Sequence, residues 1–333
     1  MPTNRRHSLE DWLARSLGTR DFTLDHASAD AGMRSYWRAV AGGRSFIIMD
    51  APPAHNDLAA FLAVGALLRE GGIKVPEVHA SDTGQGFLLL EDLGTHTMLQ
   101  AIDAGADPQP LFEAAIETLV RMQGIAVPDW LPAYDADLLE RELDLFPDWY
   151  LARHRGIRLD GGDRAIWQDA RARLVDAALA QPRVFVHRDY MPRNLMGGEH
   201  RSPASRLGVL DFQDAVAGPI AYDPLSLVKD AFRSWPDGQA DAWLQRYWQR
   251  AGSAGLPVPD WPRFRRDLDW IGMQRHLKVI GIFARLKHRD GKAHYVEDVP
   301  RFFAYLAEVL PRYPELDDFT ALLARIAAAG KPP

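Results

Sequence analysis

The spacing of apolar residues changes once along this chain, and the change limits the folds that the chain can adopt. Up to Gly94 the sequence has the short runs of strands with helices between them, whereas after Pro110 it has the spacing of long amphipathic helices. The 333 residues also exceed one ordinary core, so two parts are expected. The sequence therefore predicts an α+β fold, with a small antiparallel sheet and a helix in residues 1–93 and a larger, mainly helical part in residues 94–333.

Individual elements can be placed from the same patterns, together with helix caps and turn residues. Ser8 is the expected N-cap of a first helix that Gly18 ends, and Gly42 with Gly43 is expected to form a hairpin turn. The predicted strands are residues 36–40, 45–50, 77–80, 87–90, 194–196 and 207–210, and the predicted helices are residues 1–17, 57–69, 111–123, 137–153, 163–180, 224–232, 237–251, 264–289 and 299–309.

Composition and missing motifs exclude several classes of protein. The chain has no cysteine, which rules out a disulfide framework and thiolate zinc sites, and its 11 histidines do not form the H-E-x-x-H pattern of metalloproteases. It also lacks a Walker A loop and a G-x-S-x-G nucleophile elbow. No apolar run approaches the roughly 18 residues of a membrane helix, no signal peptide is evident, and the net charge of −6 does not favour nucleic acid. We therefore expect a cytoplasmic protein without a membrane or nucleic-acid partner.

One strand-rich segment interrupts the helices and carries the polar residues that most suggest chemistry. His187 and Asp189 follow a run of strand formers, Asn194 comes five residues after Asp189, and Asp211 ends the next predicted hairpin. Amide and carboxylate oxygens suit Mg²⁺, and phosphoryl transfer from ATP needs them together with an aspartate that orients the acceptor hydroxyl. The spacing H-R-D-x-x-x-x-N followed by D-F therefore predicts a kinase, with Asp189 as the catalytic residue and Asn194 and Asp211 as magnesium ligands.

These motifs resemble those of a known superfamily. The stretches "FLLLEDLG", "HRDYMPRNLM" and "LDFQDAVAGPIAYDPLSL" are similar to those of the aminoglycoside phosphotransferase and choline kinase-like superfamily, and the likeness extends nearly from end to end. Within it, "SYWRA", "FIIMDAPP" and "ELDLFPDWYL" resemble the bacterial kinases of the anomeric hydroxyl of N-acetylmuramate and N-acetylglucosamine in peptidoglycan recycling. The resemblance implies the two-lobed protein-kinase-like fold, ATP and Mg²⁺ as cofactors, and an amino sugar as the small-molecule partner. We expect a monomer or a weak homo-oligomer.

The resemblance also implies roles for residues around the catalytic set. Glu91, Asp92 and Leu93 belong to the stretch "LEDLG", which looks like the hinge that receives adenine through backbone groups. Three further residues are expected to support the site rather than to react, namely His187, Asp214 and Asp223.

One position departs from the superfamily. Met49 stands where most members have the lysine that holds the α- and β-phosphates, and a thioether cannot supply that charge. Residues 30–38 resemble the loop and strand that cover the phosphates, so Arg34 and Arg38 are assigned to nucleotide binding. Arg34, Arg38 and Arg44 are the cations that could replace the lysine, with Arg38 preferred because it lies on a strand.

The acceptor site is less clearly marked. Glu142, Asp148 and Trp149 combine acids with an aromatic ring, a composition suited to gripping and stacking on a sugar, and Arg275 could meet the lactyl carboxylate of N-acetylmuramate. Each has a plainer explanation. Aromatic residues at helical spacing usually fill the core, and the cations near Arg275 could form a solvated outer face.

Two other functions fit the same sequence. A kinase of another small alcohol, such as an aminoglycoside, choline or homoserine, would keep the motifs and change the acceptor. A pseudokinase that binds nucleotide without transferring phosphate would explain Met49, although the presence of Asp189, Asn194 and Asp211 argues against it.

Overall fold

The computed structural model describes residues 3–29, 34–54, 58–197, 207–236 and 238–328. The strands are β1 (Thr23–Ala29), β2 (Ser35–Ala41), β3 (Arg44–Asp50), β4 (Val78–Asp82), β5 (Phe87–Glu91), β6 (Arg183–Val186), β7 (Leu195–Met196), β8 (Gly208–Val209) and β9 (Val216–Pro219). The α-helices are α1 (Thr3–Leu17), α2 (Leu58–Glu70), α3 (Met98–Asp103), α4 (Pro108–Gln123), α5 (Ala136–Leu143), α6 (Gly161–Leu179), α7 (Tyr222–Val228), α8 (Gln239–Ser253), α9 (Trp261–Asp290), α10 (Val299–Val309) and α11 (Asp317–Ala328).

The chain forms two compact units. The first consists of Met1–Thr118 and Pro192–Asp214, and the second of Leu119–Met191 and Ala215–Pro333. The predicted α+β class is confirmed, because β1 to β5 form one antiparallel sheet in the first unit while long helices dominate the second. The first compact unit includes residues 94–118 and 192–214 together with the sheet. The predicted division of function, with the small sheet-containing part ending at residue 93, stays a prediction.

The sheet of the first unit has the strand order β1-β2-β3-β5-β4. Gly42 and Gly43 have φ of 55° and 74°, which makes the predicted tight turn between β2 and β3. One face of the sheet, including Phe46 and Ile48, packs on Trp12 of α1 and its neighbours. Because side chains alternate along a strand, Met49 faces the other way.

Several sequence predictions were wrong in detail. Ser8 does not cap α1, because the helix begins at Thr3 and the Ser8 hydroxyl instead donates to the carbonyl oxygen of Asn4 (3.1 Å). The single helix predicted over residues 137–153 is two elements, α5 and a π-helix at Phe146–Arg155, since Pro147 cannot donate a helical hydrogen bond. Strands β1 and β9 and helices α3 and α11 were not predicted at all.

Helix α9 runs through the interior of the second unit, and residues 267–278 are buried without interruption. Two glycines allow its neighbours to approach closely. A Cβ atom on Gly272 would lie 2.9 Å from Leu225 of α7, and one on Gly281 would lie 2.4 Å from the backbone of Leu145, just before the π-helix. These contacts fix α9 against the elements that carry the polar residues described below.

Two further points bear on function. Among the described helices, none combines the length and the apolar character needed to cross a membrane. The loop at residues 198–206 and residues 30–33 of the expected phosphate-covering loop lie outside the described parts of the chain.

Candidate active site

Asp223 holds the backbone of the predicted catalytic loop. It is fully buried in α7 and accepts hydrogen bonds from the backbone N–H groups of His187 (2.7 Å) and Arg188 (3.0 Å). The following N–H, that of Asp189, donates to Nδ1 of the His187 ring (3.3 Å). Three successive backbone N–H groups are therefore held. These contacts fit the supporting roles predicted for Asp223 and His187. The Asp189 residue itself is half-buried.

The ionisation of Asp223 reflects this environment. Burial raises its pKa to about 7, although the backbone N–H groups of His187 and Arg188 oppose the change. The Asp189 charge raises the pKa further and the Arg275 charge lowers it. Asp223 thus lies within electrostatic range of both Asp189 and Arg275.

Arg188 is held in an unusual backbone conformation directly before Asp189. Its φ is 73°, in the left-handed region that non-glycine residues seldom adopt, at a cost on the order of 1–3 kcal/mol. Its side chain forms an ion pair with Glu142 of α5 and lies over the ring of Tyr134, 5.6 Å from the centroid. The loop is therefore fixed at the backbone by Asp223 and at this side chain by Glu142.

Glu142 is the centre of a buried polar network. Its carboxylate accepts hydrogen bonds from Arg188 and Tyr134, from Lys278 (2.8 Å) and from Gln274 (3.3 Å), the last two on α9. Burial alone would raise its pKa, but Lys278 and Arg188 lower it to about 2. Conversely, burial would lower the pKa of Lys278, and the Glu142 charge raises it. These charges are stable in the interior only as a set.

The predicted magnesium ligands Asn194 and Asp211 both lie in the first unit, connected through the hairpin of β7 and β8. The N–H of Leu210 donates to the backbone oxygen of Asn194 (2.9 Å). Asp211 follows with φ of 63°. Gln213 donates through Nε2 both to Asp211 Oδ1 (3.0 Å) and to Asp214 Oδ2 (3.1 Å), so Asp214 contacts Asp211 through this amide.

The residues on either side of Asp211 are fixed by packing. The ring of Phe212 lies 4.8 Å from that of Phe61 on α2. Gly208 of β8 touches the hinge, because a Cβ there would lie 2.6 Å from Leu93 Cδ1. The N–H of Val209 donates to the Lys74 oxygen (2.8 Å). Within the described residues, Arg188 and Asp211 are the only non-glycine residues with positive φ, and both belong to the predicted motifs.

The oxygen donors of Asn194 and Asp211 fit Mg²⁺. Among the described residues, no group of three or more histidine, aspartate and glutamate side chains converges as a metal site built from protein alone would require. Mg²⁺ does not need such a group, since it is commonly held by one or two protein oxygens together with substrate phosphates and water. The half-buried Asn194 and Asp211 offer this kind of incomplete oxygen set.

The side chains of the predicted hinge are engaged within the sheet. Asp92 accepts from Arg38 (2.7 and 3.1 Å), from the Ser45 hydroxyl and from the N–H of Gly94 (3.0 Å). Burial alone would raise the pKa of Asp92, but Arg38 lowers it. Glu91 pairs with Lys74. The acidic side chains of Glu91 and Asp92 are therefore occupied by partners within the first unit.

The structure changes the order of candidates for the lysine that is absent at Met49. Arg38 also donates to the Gly94 oxygen (2.9 Å), so its guanidinium is committed to the hinge, contrary to the preference drawn from the sequence. Arg44 lies at the far end of β3, over the ring of Phe46 at 5.0 Å. Arg34 directly precedes β2 at the same end of the sheet as the fully buried Met49. Arg34 thus becomes the first candidate by position.

The four predicted acceptor residues have different environments. Glu142 and Arg275 are buried, whereas Asp148 is exposed and Trp149 is half-buried with Arg153 over its ring at 5.0 Å. Partial burial of its carboxylate and the nearby Asp144 charge raise the pKa of Asp148. The alternative that the cations of α9 form a solvated outer face is wrong. Their exposed fractions are 2% for Arg275, 3% for His276 and 6% for Lys278.

Sequence reasoning missed the partners that make this network possible. Lys278 was not singled out among the cations near Arg275, and Tyr134 was not considered. The signal for Lys278 was available, because "QRHLK" lies between the apolar runs "WIGM" and "VIGIF", which predict burial of this part of the helix on all sides. Tyr134 carries no comparable pattern.

Comparison with known proteins gives consistent results. Residues 24–266 match the family model described as "Phosphotransferase enzyme family". The chain is similar to the N-acetylmuramate/N-acetylglucosamine kinase of Pseudomonas aeruginosa, with 52% identity over 90% of this chain and 87% of that protein. It is 49% identical to the kinase of the same name from Pseudomonas putida, over 93% of this chain and 90% of the other.

Solved structures support the fold. The crystal structure of the choline kinase LicA from Streptococcus pneumoniae matches with a TM-score of 0.63 at 12% identity, covering 92% of this chain and all (100%) of that one. At this identity the likeness concerns the fold alone, and it confirms the predicted kinase-like class.

Proposed function

This chain belongs to the phosphotransferase enzyme family, and from that premise we propose that it is an ATP- and magnesium-dependent kinase of the anomeric hydroxyl of N-acetylmuramate and N-acetylglucosamine. We place the reaction in the cytoplasm, in the recycling of peptidoglycan sugars. The names of the two Pseudomonas relatives support the sugars, and the motifs support the reaction.

The observation that carries the proposed reaction is the pair of strained backbone positions. Strain of this kind persists only where surrounding contacts enforce it, and it is concentrated at functional sites. Here it falls on Arg188, immediately before the predicted catalytic residue, and on Asp211, a predicted magnesium ligand. The contacts with Asp223, Glu142 and Phe61 described above supply the enforcement.

In this proposal Asp189 orients the anomeric hydroxyl and accepts its proton as the phosphoryl group transfers. An anomeric hydroxyl is more acidic than an ordinary alcohol, so positioning by a carboxylate supplies most of what the acceptor needs. Asn194 and Asp211 would hold Mg²⁺, which neutralises the charge of the nucleotide phosphates when bound. The hinge near Leu93 receives adenine.

The buried cations of the second unit favour a neutral or anionic acceptor. Lys278 is already paired with Glu142, but Arg275 forms no ion pair within the described residues, so a cationic acceptor such as choline or an aminoglycoside would meet like charge beside Arg275. This observation weighs against the kinase of a cationic alcohol.

The test is to incubate the protein with ATP, Mg²⁺ and a panel of amino sugars, aminoglycosides, homoserine and choline, and to locate new phosphate by phosphorus NMR. We expect an anomeric phosphate on the two N-acetylated sugars. We also expect Asp189→Ala to lower kcat by at least about a thousandfold while ATP still binds. A phosphate at another position, or wild-type turnover in Asp189→Ala, would reject the proposal. No product with any acceptor would favour the pseudokinase.

A further inference from the structure

Among the buried polar atoms without hydrogen-bond partners in the described residues, three lie on α7, on the residue that follows its C-cap, and on α9. They are Ser226 Oγ, Asp230 Oδ2 and Arg275 Nε, on side chains that are 0%, 1% and 2% exposed. A buried polar atom without a partner is costly and therefore needs an explanation. Ser226 and Asp230 are four residues apart, and Arg275 comes from the helix packed against them.

Arg275 is the most informative of the three. Its one direct hydrogen bond within the described chain is from Nη1 to the backbone oxygen of Lys229, at 3.4 Å, and it forms no salt bridge there. A buried guanidinium without a carboxylate in contact is unfavourable, so a group that accepts a hydrogen bond from Nε would stabilise it. The bond to Lys229 also places Arg275 next to Asp230 in the chain.

Asp230 offers the complementary atom. Its Oδ1 accepts from the backbone N–H groups of Phe232 and Arg233, both at 2.9 Å, while Oδ2 accepts from none of the described groups. Burial raises the pKa of Asp230 and Arg275 lowers it, so the two side chains are within electrostatic range without bonding each other. An unpaired acceptor thus lies near an unpaired donor.

A secondary amide satisfies both atoms, since its oxygen accepts and its N–H donates. We propose that Arg275 and Asp230 recognise the 2-acetamido group of the sugar, with Arg275 Nε donating to the amide oxygen and Asp230 Oδ2 accepting from the amide N–H. This inference rests on the proposed function. The lactyl carboxylate of N-acetylmuramate fits less well at this place, because it would face the carboxyl oxygen of Asp230.

The position relative to the reacting group is consistent. The acetamido group is attached to the carbon next to the anomeric carbon, so its site must lie near Asp189. Asp223, at the start of α7, holds the backbone of His187 and Arg188. Arg275 bonds the oxygen of Lys229 at the other end of this seven-residue helix, so one short helix links the guanidinium to the predicted catalytic loop. The Ser226 hydroxyl, four residues before Asp230 in the chain, can add a bond to the amide.

The competing explanation is structural, namely that ordered water joins these atoms and the sugar binds elsewhere. The two explanations differ in what the enzyme can distinguish. A site that pairs with a substrate N–H discriminates strongly against an analogue lacking it, because the buried acceptor is then left unpaired. A hydrated structural cluster does not discriminate.

The experiment compares N-acetylglucosamine with its ketone isostere, in which CH₂ replaces the amide N–H. For the wild type we expect kcat/KM to be about tenfold to a hundredfold higher for the amide. In Asp230→Asn the side-chain oxygen must stay with Phe232 and Arg233, so the new NH₂ group takes the place of Oδ2 and opposes the substrate N–H. The ratio should then fall to about one, mainly through KM for the amide.

Arg275→Lys keeps the positive charge and loses the Nε donor. We expect it to lower kcat/KM for the amide and the ketone in parallel, because both retain the carbonyl, with equal losses for N-acetylglucosamine and N-acetylmuramate. Asp169→Asn, which changes an exposed carboxylate paired with Arg173, is the control and should leave every ratio unchanged. Thermal unfolding of each variant checks the fold.

Two results would overturn the inference. An amide-to-ketone ratio in Asp230→Asn equal to that of the wild type would assign the cluster to structure, and a loss in Arg275→Lys confined to N-acetylmuramate would assign Arg275 to the lactyl carboxylate. A wild type that phosphorylates none of these sugars would instead reject the proposed function itself.

Discussion

The two regions that carry the predicted chemistry are positioned in different ways. In the first unit, Asn194 and Asp211 are fixed largely by backbone hydrogen bonds and by packing close to them in the chain, such as the Leu210 N–H to Asn194 bond. In the second unit, the predicted catalytic loop is fixed by Asp223 of α7 and Glu142 of α5, and Glu142 is held in turn by Lys278 of α9, so these contacts join elements that are far apart in the sequence. The first region depends on a short segment, and the second depends on tertiary structure.

This difference indicates where general chemistry and specificity reside. Phosphate and metal chemistry is common to many kinases and can be encoded by a motif of fixed spacing. Recognition of one sugar requires polar groups brought together from separate helices, and each buried polar group there needs a hydrogen-bond partner. We therefore expect substitutions of Asn194 and Asp211 to affect catalysis with every acceptor. Substitutions of the groups that surround the predicted catalytic loop, Asp189 itself excepted, should separate folding, acceptor binding and turnover.

Of the comparisons between the two regions, the largest effect is expected from Asp211→Asn in the first unit. Loss of one carboxylate charge from a magnesium site should lower kcat by about a thousandfold or more at millimolar Mg²⁺, with every sugar alike. The measurement is kcat as a function of Mg²⁺ concentration, with Asp169→Asn as the surface control. An unchanged Mg²⁺ dependence would show that Asp211 is not a metal ligand.

The next effect concerns how much Glu142 and its polar network stabilise the second unit. Glu142 has a pKa of about 2 in the folded protein and an ordinary value near 4.5 when unfolded, so its contribution to stability is complete above about pH 4.5 and is lost as the pH falls toward 2. The full contribution corresponds to roughly 3 kcal/mol.

Urea unfolding of the wild type and of Glu142→Gln between pH 6 and 2.5 measures the contribution of the Glu142 charge to the free energy of unfolding. The difference in the free energy of unfolding should shrink as the pH falls. A difference that does not vary with pH would contradict the paired state of Glu142. Asp223 acts in the opposite direction, since its raised pKa adds stability that is lost as the pH rises through about 7. This contribution is the same in the wild type and in Glu142→Gln, so it cancels when the two are compared.

Glu142→Gln should also separate positioning from binding. With Arg188 no longer held by a carboxylate, we expect kcat to fall about tenfold to a hundredfold while KM for ATP changes less than about twofold. Glu140→Gln, which alters a partly exposed partner of Arg171 two residues earlier, is the matched control. A rise in the sugar KM with unchanged kcat would return Glu142 to the direct acceptor contact predicted from the sequence.

The smallest effect is expected from Arg38→Gln. If Arg38 braces the hinge through Asp92 and Gly94, its loss should raise KM for ATP about threefold to tenfold and leave the sugar KM unchanged. Arg20→Gln, which changes an exposed arginine paired with Asp11 in the same unit, serves as the control. A fall in kcat of a hundredfold or more would restore Arg38 as the substitute for the missing lysine.

The sequence predicted the parts of the molecule that depend on local spacing. The hairpin at Gly42 and Gly43, most of the long helices and the order of the H-R-D-x-x-x-x-N and D-F motifs follow from periodicity and turn chemistry. It failed where tertiary contacts decide. The break at Pro147 and the burial of Lys278 depend on what packs against them, which no local pattern records. The roles of the predicted site residues remain predictions to be tested as above.

The two glycines of α9 have an evolutionary consequence. Gly272 and Gly281 seat the helix against Leu225 and Leu145, and the polar residues that pair with Glu142 lie between them. Inserting or deleting one residue in this interval would turn one end of the helix by about 100° relative to the other. New acceptor preferences can therefore arise here by substitution, whereas changes of length should be absent from working descendants of this protein.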